Sequence, residues 1–75
     1  MSFLQATSGC AIQFKDHGHY YSATAKGIDV RNGMTAVLGT SVEELLEKLK
    51  RVMLSPTPDM VWESIQEQLF KEGYQ

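Results

Sequence analysis

The chain has 75 residues, of which 43% are hydrophobic and 21% charged, and its formal net charge is −2. Because the smallest domains that fold alone have about 55–65 residues, one domain fits this length and two do not. The composition is that of a folded globular chain and argues against disorder. The acidic balance disfavours a nucleic-acid binder or a membrane-surface protein, because both normally carry a basic field.

A single cysteine, Cys10, cannot form an internal disulfide. We expect it to be buried, because free cysteine is among the most buried residue types. The first residues lack the basic segment and apolar stretch of a signal peptide. No apolar run approaches the ~18–20 residues of a membrane span. These features favour a cytoplasmic protein that does not contact membranes.

Residues 10–39 alternate apolar and polar side chains, which predicts β-strands. The sequence Asp16-His17-Gly18 supplies a first turn. Asn32-Gly33 predicts a two-residue type I′ hairpin, because both residues tolerate positive φ. A third strand then places Met34, Ala36 and Leu38 on one face, with Thr35 and Val37 on the other. The expected apolar face of the sheet comprises Ile12, Phe14, Ile28, Val30 and Leu38.

Two amphipathic helices follow, over residues 41–54 and 57–72 approximately. Ser41 and Glu44 form a capping box at the start of the first helix. Favourable pairs are expected from Glu44 to Lys48 and from Glu47 to Arg51. The apolar stripe of this helix contains Val42, Leu45, Leu46, Leu49, Val52 and Met53.

The second helix is expected to begin at an N-cap, Thr57, followed by Pro58 and Asp59. Gly73 marks its end. The apolar stripe of this helix contains Val61, Trp62, Ile65, Leu69 and Phe70.

These elements predict one small α+β domain over residues 1–75, with the order β-β-β-α-α. A three-stranded antiparallel meander would form one layer and the helices the other. One helix largely covers a sheet this narrow, so Trp62 and Phe70 either complete the core or contact a partner. Since a chain of this size gains stability from oligomerisation, we expect self-association as a homodimer.

Three side chains are candidates for binding a protein partner: Trp62 and Phe70 on the second helix, and Tyr20 on the polar side of the sheet. An open sheet edge offers a further route, because it can pair with another chain. No catalytic constellation and no cofactor motif is recognisable. We therefore predict a non-enzymatic protein-interaction module, such as a small phage or bacterial regulator or inhibitor.

Two alternatives come from other functional classes. His17 and His19, with Tyr20 or Tyr21, could form a small ligand-binding, metal-binding or catalytic unit at a homo-oligomer interface. Tyr20 with nearby basic residues could form a weak RNA-binding sheet. The missing third and fourth metal ligands argue against the first alternative, and the acidic helices argue against the second.

Residues 12–53 resemble the HicB-type antitoxin unit. The similarity lies in a first strand from Ile12 to Asp16, the sequence His19-Tyr20-Tyr21, and Gly39-Thr40-Ser41 before a Glu-rich helix. The resemblance implies a reduced RNase H-like sheet without catalytic function that binds and neutralises a small toxin. No functional residue is carried over from it.

Overall fold

The computed structural model describes residues 4–75, except for the side chain of Gln5. It is a two-layer α+β fold, as the sequence predicts. Four strands form one antiparallel sheet in the order β1-β2-β3-β4: β1 (Leu4–Thr7), β2 (Cys10–Asp16), β3 (Tyr21–Lys26) and β4 (Met34–Gly39). The helices are α1 (Val42–Val52) and α2 (Asp59–Lys71).

The sheet has one strand more than predicted. Strand β1 spans only four residues and its pairing with β2 shifts between Gln5 and Thr7. So short and irregular a strand does not show a period of two, and it therefore escaped prediction. The presence of β1 explains what the second helix packs against. Helix α1 lies against β3 and β4, whereas α2 lies against β1.

The core lies between the sheet and both helices. Strands β2 and β3 contribute small or branched side chains at directly paired positions, such as Ile12 opposite Ala25. Cys10 is buried, as predicted. The two alanines of β3, Ala23 and Ala25, are fully buried and allow the helices to approach the sheet closely. Helix α1 adds Val42, Leu45, Leu46 and Leu49, and helix α2 adds Trp62, Ile65 and Leu69.

The connection between β3 and β4 differs from the predicted hairpin. Both Asn32 and Gly33 do have positive φ, 60° and 80°. However, the chain leaves the sheet at Gly27, and residues 27–33 form a longer connection that ends in a short 3-10 turn. Ile28 is 86% exposed, so the expectation that it lies in the core is wrong, whereas Val30 is buried as expected.

The faces of β4 are the reverse of the predicted ones. Its register places Thr35 opposite Ala25 and Val37 opposite Ala23, so these two side chains face the helices. Leu38 is exposed rather than buried, and Met34 and Ala36 share its outward direction. Because strand side chains alternate, this one change of phase turns the more apolar face of β4 to the outside.

Each helix has one end that is capped by hydrogen bonds, the start of α1 and the end of α2. Ser41 Oγ accepts a hydrogen bond from Glu44 N at 3.1 Å, which confirms half of the capping box. The Glu44 carboxylate accepts from Thr40 N at 2.6 Å, one residue earlier than expected. Helix α2 has Pro58 rather than Thr57 at its N-cap position. At its other end Tyr74 N donates to Leu69 O and Gly73 N to Phe70 O, which is a Schellman motif.

Candidate protein-interaction site

Strand β4 forms one edge of the sheet, with β3 on its other side. In an antiparallel ladder, alternate residues direct their main-chain N–H and C=O groups to the neighbouring strand, and the residues between direct them away. Leu38 O accepts a hydrogen bond from Lys48 Nζ at 2.6 Å, so this carbonyl lies on the outer side of the edge. By the same alternation, Met34 and Ala36 present their main-chain groups outward.

A second contact supports this assignment. Gly27 N donates to Gly33 O at 3.0 Å, which makes this pair the hydrogen-bonded one at the start of the ladder. Hydrogen-bonded pairs recur every two residues along an antiparallel ladder, so Thr35 with Ala25 and Val37 with Ala23 are also hydrogen-bonded pairs. The outward groups are therefore those of Met34, Ala36 and Leu38, of which Lys48 covers only the Leu38 carbonyl.

The same three residues carry the exposed apolar side chains of the edge. Met34 is 62% exposed and Leu38 is 55% exposed, with exposed Ala36 between them on the outer face. A strand that combines open main-chain groups with apolar side chains is a template for another chain. We call Met34, Ala36 and Leu38, with their main-chain groups, the β4 edge.

Helix α1 runs alongside this edge in the opposite direction. Glu44 reaches Thr40 just beyond the end of β4, and Lys48 reaches Leu38. At the other end Met53 bridges Val30, shortly before β4 begins. Arg51 therefore lies between these contacts, at the level of Met34–Ala36, and its side chain is exposed. Lys48 is thus the cation that contacts the β4 edge, and it shares the exposed surface of α1 with Arg51 and with Glu43, Glu44 and Glu47.

The pKa of the Glu44 carboxyl lies below its ordinary value. The main cause is the hydrogen bond from Thr40 N, which favours the charged form, and the nearby Lys48 adds to it. The ion pair with Lys48, at 3.9 Å, is the predicted one, whereas Glu47 pairs with Lys50 rather than with Arg51. Part of the charge of Lys48 is thus compensated, and Arg51 has no carboxylate partner among the ion pairs of residues 4–75.

The three predicted partner-binding residues lie in different places. Trp62 is only 5% exposed and belongs to the core, which is the first of the two places that the sequence allows for it. It faces inward because α2 packs on its own domain. Phe70 is 49% exposed on α2, but Glu67 and Gln66 lie one turn before it, which leaves it a single apolar group on a polar surface. Isolated exposures of this kind are ordinary.

Tyr20 lies in the loop between β2 and β3 rather than on the sheet. Its ring stacks on His17, with centroids 4.6 Å apart and an interplanar angle of 12°. His17 Nε2 also contacts Ser22 Oγ at 2.7 Å. One face of the Tyr20 ring is thus covered by the imidazole of His17.

The titratable and sulfur groups are dispersed. Within residues 4–75, no group of three or more His, Cys, Asp and Glu side chains could hold a metal ion. Cys10 Sγ contacts Met53 Sδ at 3.7 Å in the interior. Burial, assisted by nearby Asp29, raises the pKa of the Cys10 thiol, so the nucleophilic thiolate is disfavoured.

None of the helices in residues 4–75 has the length and hydropathy to cross a membrane. No protein-family model, curated protein or solved structure matches the chain. The candidate site is therefore defined by the geometry of the β4 edge alone. The sequence does indicate an open sheet edge in general terms, but it does not show that this edge carries the apolar face of its strand.

Proposed function

We propose that this protein is a non-enzymatic interaction module, a small regulator or inhibitor, that binds an extended segment of a partner protein at the β4 edge. The observation that supports this proposal is the coincidence of outward main-chain groups and exposed apolar side chains at Met34, Ala36 and Leu38. In strand addition, main-chain hydrogen bonds supply affinity and alternate side chains supply specificity.

The helical layer supports the same choice of surface. Helix α2 directs Trp62, Ile65 and Leu69 into its own core, which leaves it without a continuous apolar face. The β4 edge, by contrast, has three successive outward residues that are all apolar. Of the two routes to a partner that the sequence suggests, the open edge is therefore the better supported.

A selection of extended peptides from an unbiased displayed library tests the proposal. Selected peptides should bind the wild-type chain and lose at least about tenfold in affinity for Ala36→Pro, because proline removes an outward N–H that the added strand needs. This change spares the ladder to β3, whose bonds come from Thr35 and Val37. Circular dichroism checks the fold.

Phe70→Ser is the matched control, because it removes a second exposed apolar side chain far from the edge. It should leave peptide affinity unchanged. Peptides that bind Ala36→Pro as well as the wild type, or that lose affinity only for Phe70→Ser, would overturn the proposal.

A further inference from the structure

We infer that the segment bound at the β4 edge is acidic, with carboxylate side chains alternating with apolar ones. This inference rests on the proposed function and specifies the chemistry of the partner. It follows from three features: the alternation of an added strand, the apolar outer face of β4, and the cations on its helical side.

An added strand would continue the pleat of the sheet. Its side chains would point alternately to the outer face and to the helical layer. On the outer face they would meet Met34, Ala36 and Leu38, which favours apolar residues. On the helical side they would meet Lys48 and Arg51 of α1, which favours carboxylates.

Basic side chains are more frequent on the sheet side of the molecule than between the helices. Five of the seven basic side chains lie on the sheet, at its turns or on the β4 side of α1: Lys15, Lys26, Arg31, Lys48 and Arg51. A groove of about 350 Å³ between the two helices is lined by four carboxylates and one cation: Glu43, Glu47, Asp59, Glu63 and Lys50. Glu43 and Glu47 also border the exposed surface of α1 that carries Lys48 and Arg51. An acidic segment is therefore drawn to the β4 side and repelled from the groove.

A second copy of this chain fits the edge less well. Two β4 strands paired antiparallel would bring Lys48 and Arg51 of both copies to one seam. Like charges there oppose association, and Glu44 compensates only at the Gly39 end, where it bonds Thr40. Nucleic acid also fits less well, because the edge offers apolar side chains and main-chain groups rather than a row of cations.

The test uses three short blocked peptides in which valine alternates with glutamate, with threonine or with lysine. The glutamate peptide should bind about tenfold more tightly than the threonine peptide at about 50 mM salt, with the lysine peptide weakest, and the differences should shrink at about 500 mM salt. Titration calorimetry or fluorescence anisotropy gives the dissociation constants.

Two double variants that remove the same charge locate the effect. Lys48→Gln with Arg51→Gln should weaken the glutamate peptide about tenfold, whereas Lys50→Gln with Lys71→Gln, away from the edge, should change it less than about twofold. The first double variant removes one exposed ion pair, Lys48–Glu44, and the control removes two, Lys50–Glu47 and Lys71–Glu67. Because exposed pairs contribute little to stability, the control is at least as demanding on the fold as the test variant.

The outcomes separate this inference from the proposed function. If all three peptides bind equally and Ala36→Pro abolishes binding, strand addition is correct and the acidic preference is wrong. If none binds while library-selected peptides bind and depend on Ala36, strand addition is correct and the acidic preference is wrong. A dimer of the free chain that disappears in Ala36→Pro, seen by sedimentation, would replace the acidic segment with a second copy. Tighter binding of a mixed oligonucleotide pool than of the glutamate peptide would overturn the inference in favour of nucleic acid.

Discussion

Single residues fix how the connection between β3 and β4 leaves the sheet. Gly27 has φ 141°, and a Cβ atom built there would overlap the carbonyl oxygen of Gly9. Two main-chain hydrogen bonds of Asp29 hold the connection in this position. Asp29 N donates to Gly9 O at 3.0 Å, and Asp29 O accepts from Leu54 N at 2.7 Å. One glycine thus allows the connection to meet both the β1–β2 turn and the segment after α1.

Gly27→Ala should lower the free energy of unfolding by about 2–4 kcal/mol, since it combines an unfavourable φ with a main-chain overlap. The matched control is Gly18→Ala. Gly18 also has positive φ but has open space around it, so about 1 kcal/mol is expected there. Urea unfolding followed by circular dichroism measures both free energies of unfolding. Equal losses of stability in the two variants would contradict the close approach of Gly27 to Gly9.

The stability that Glu44 adds at the start of α1 depends on pH. Its folded pKa is lowered from the ordinary value of 4.5, so its stabilising effect is fully present above pH 4.5 and is lost as the pH falls through the folded value. Glu44→Gln should therefore be less stable than the wild type near neutral pH, with a difference that narrows under acid. Urea unfolding over a pH series measures this. A constant difference would contradict the Thr40 bond, and Glu63→Gln on α2 controls for loss of one carboxylate.

At the scale of elements, the helices could be predicted and the edge strands could not. Both apolar stripes follow a 3.6-residue period over several turns, so α1 and α2 fall within the predicted ranges. Strand β1 is too short to show a period. For β4, the usual rule that the more apolar face points inward gave the wrong phase, because the connection over residues 27–33 fixes the register. The rule that the apolar face points inward thus fails at the strand that carries the candidate site. Such departures from local sequence rules are expected at functional surfaces.

The two aromatic residues of α2 should differ sharply in their effect on stability. Trp62→Ala should cost about 3–5 kcal/mol, because it leaves a cavity between α2 and the rest of the core. That is a large part of the roughly 4–11 kcal/mol expected for a domain of this length. Phe70→Ser should cost about 1 kcal/mol or less. Thermal unfolding compares them, and similar losses would mean that Phe70 also packs in the core.

At the scale of the whole molecule, the two layers have different roles. The helices cover the inner face of the sheet and bury seven apolar side chains in one core: Val42, Leu45, Leu46, Leu49, Trp62, Ile65 and Leu69. Within residues 4–75, the outer side of β4 receives no such cover, apart from the contact of Lys48 with the Leu38 carbonyl. The fold therefore completes its own core and leaves the β4 edge available, with Lys48 beside it.

Amide hydrogen exchange of the β4 residues, read by NMR with and without the glutamate peptide, tests the central claim most directly. In the free chain, the amides of Met34 and Ala36 should exchange fast, while those of Thr35 and Val37, bonded to β3, should be protected. With peptide bound, Met34 and Ala36 should become protected as the new ladder forms. Protection confined to α2, or slow exchange of Met34 and Ala36 in the free monomer, would contradict an open β4 edge that binds an added strand.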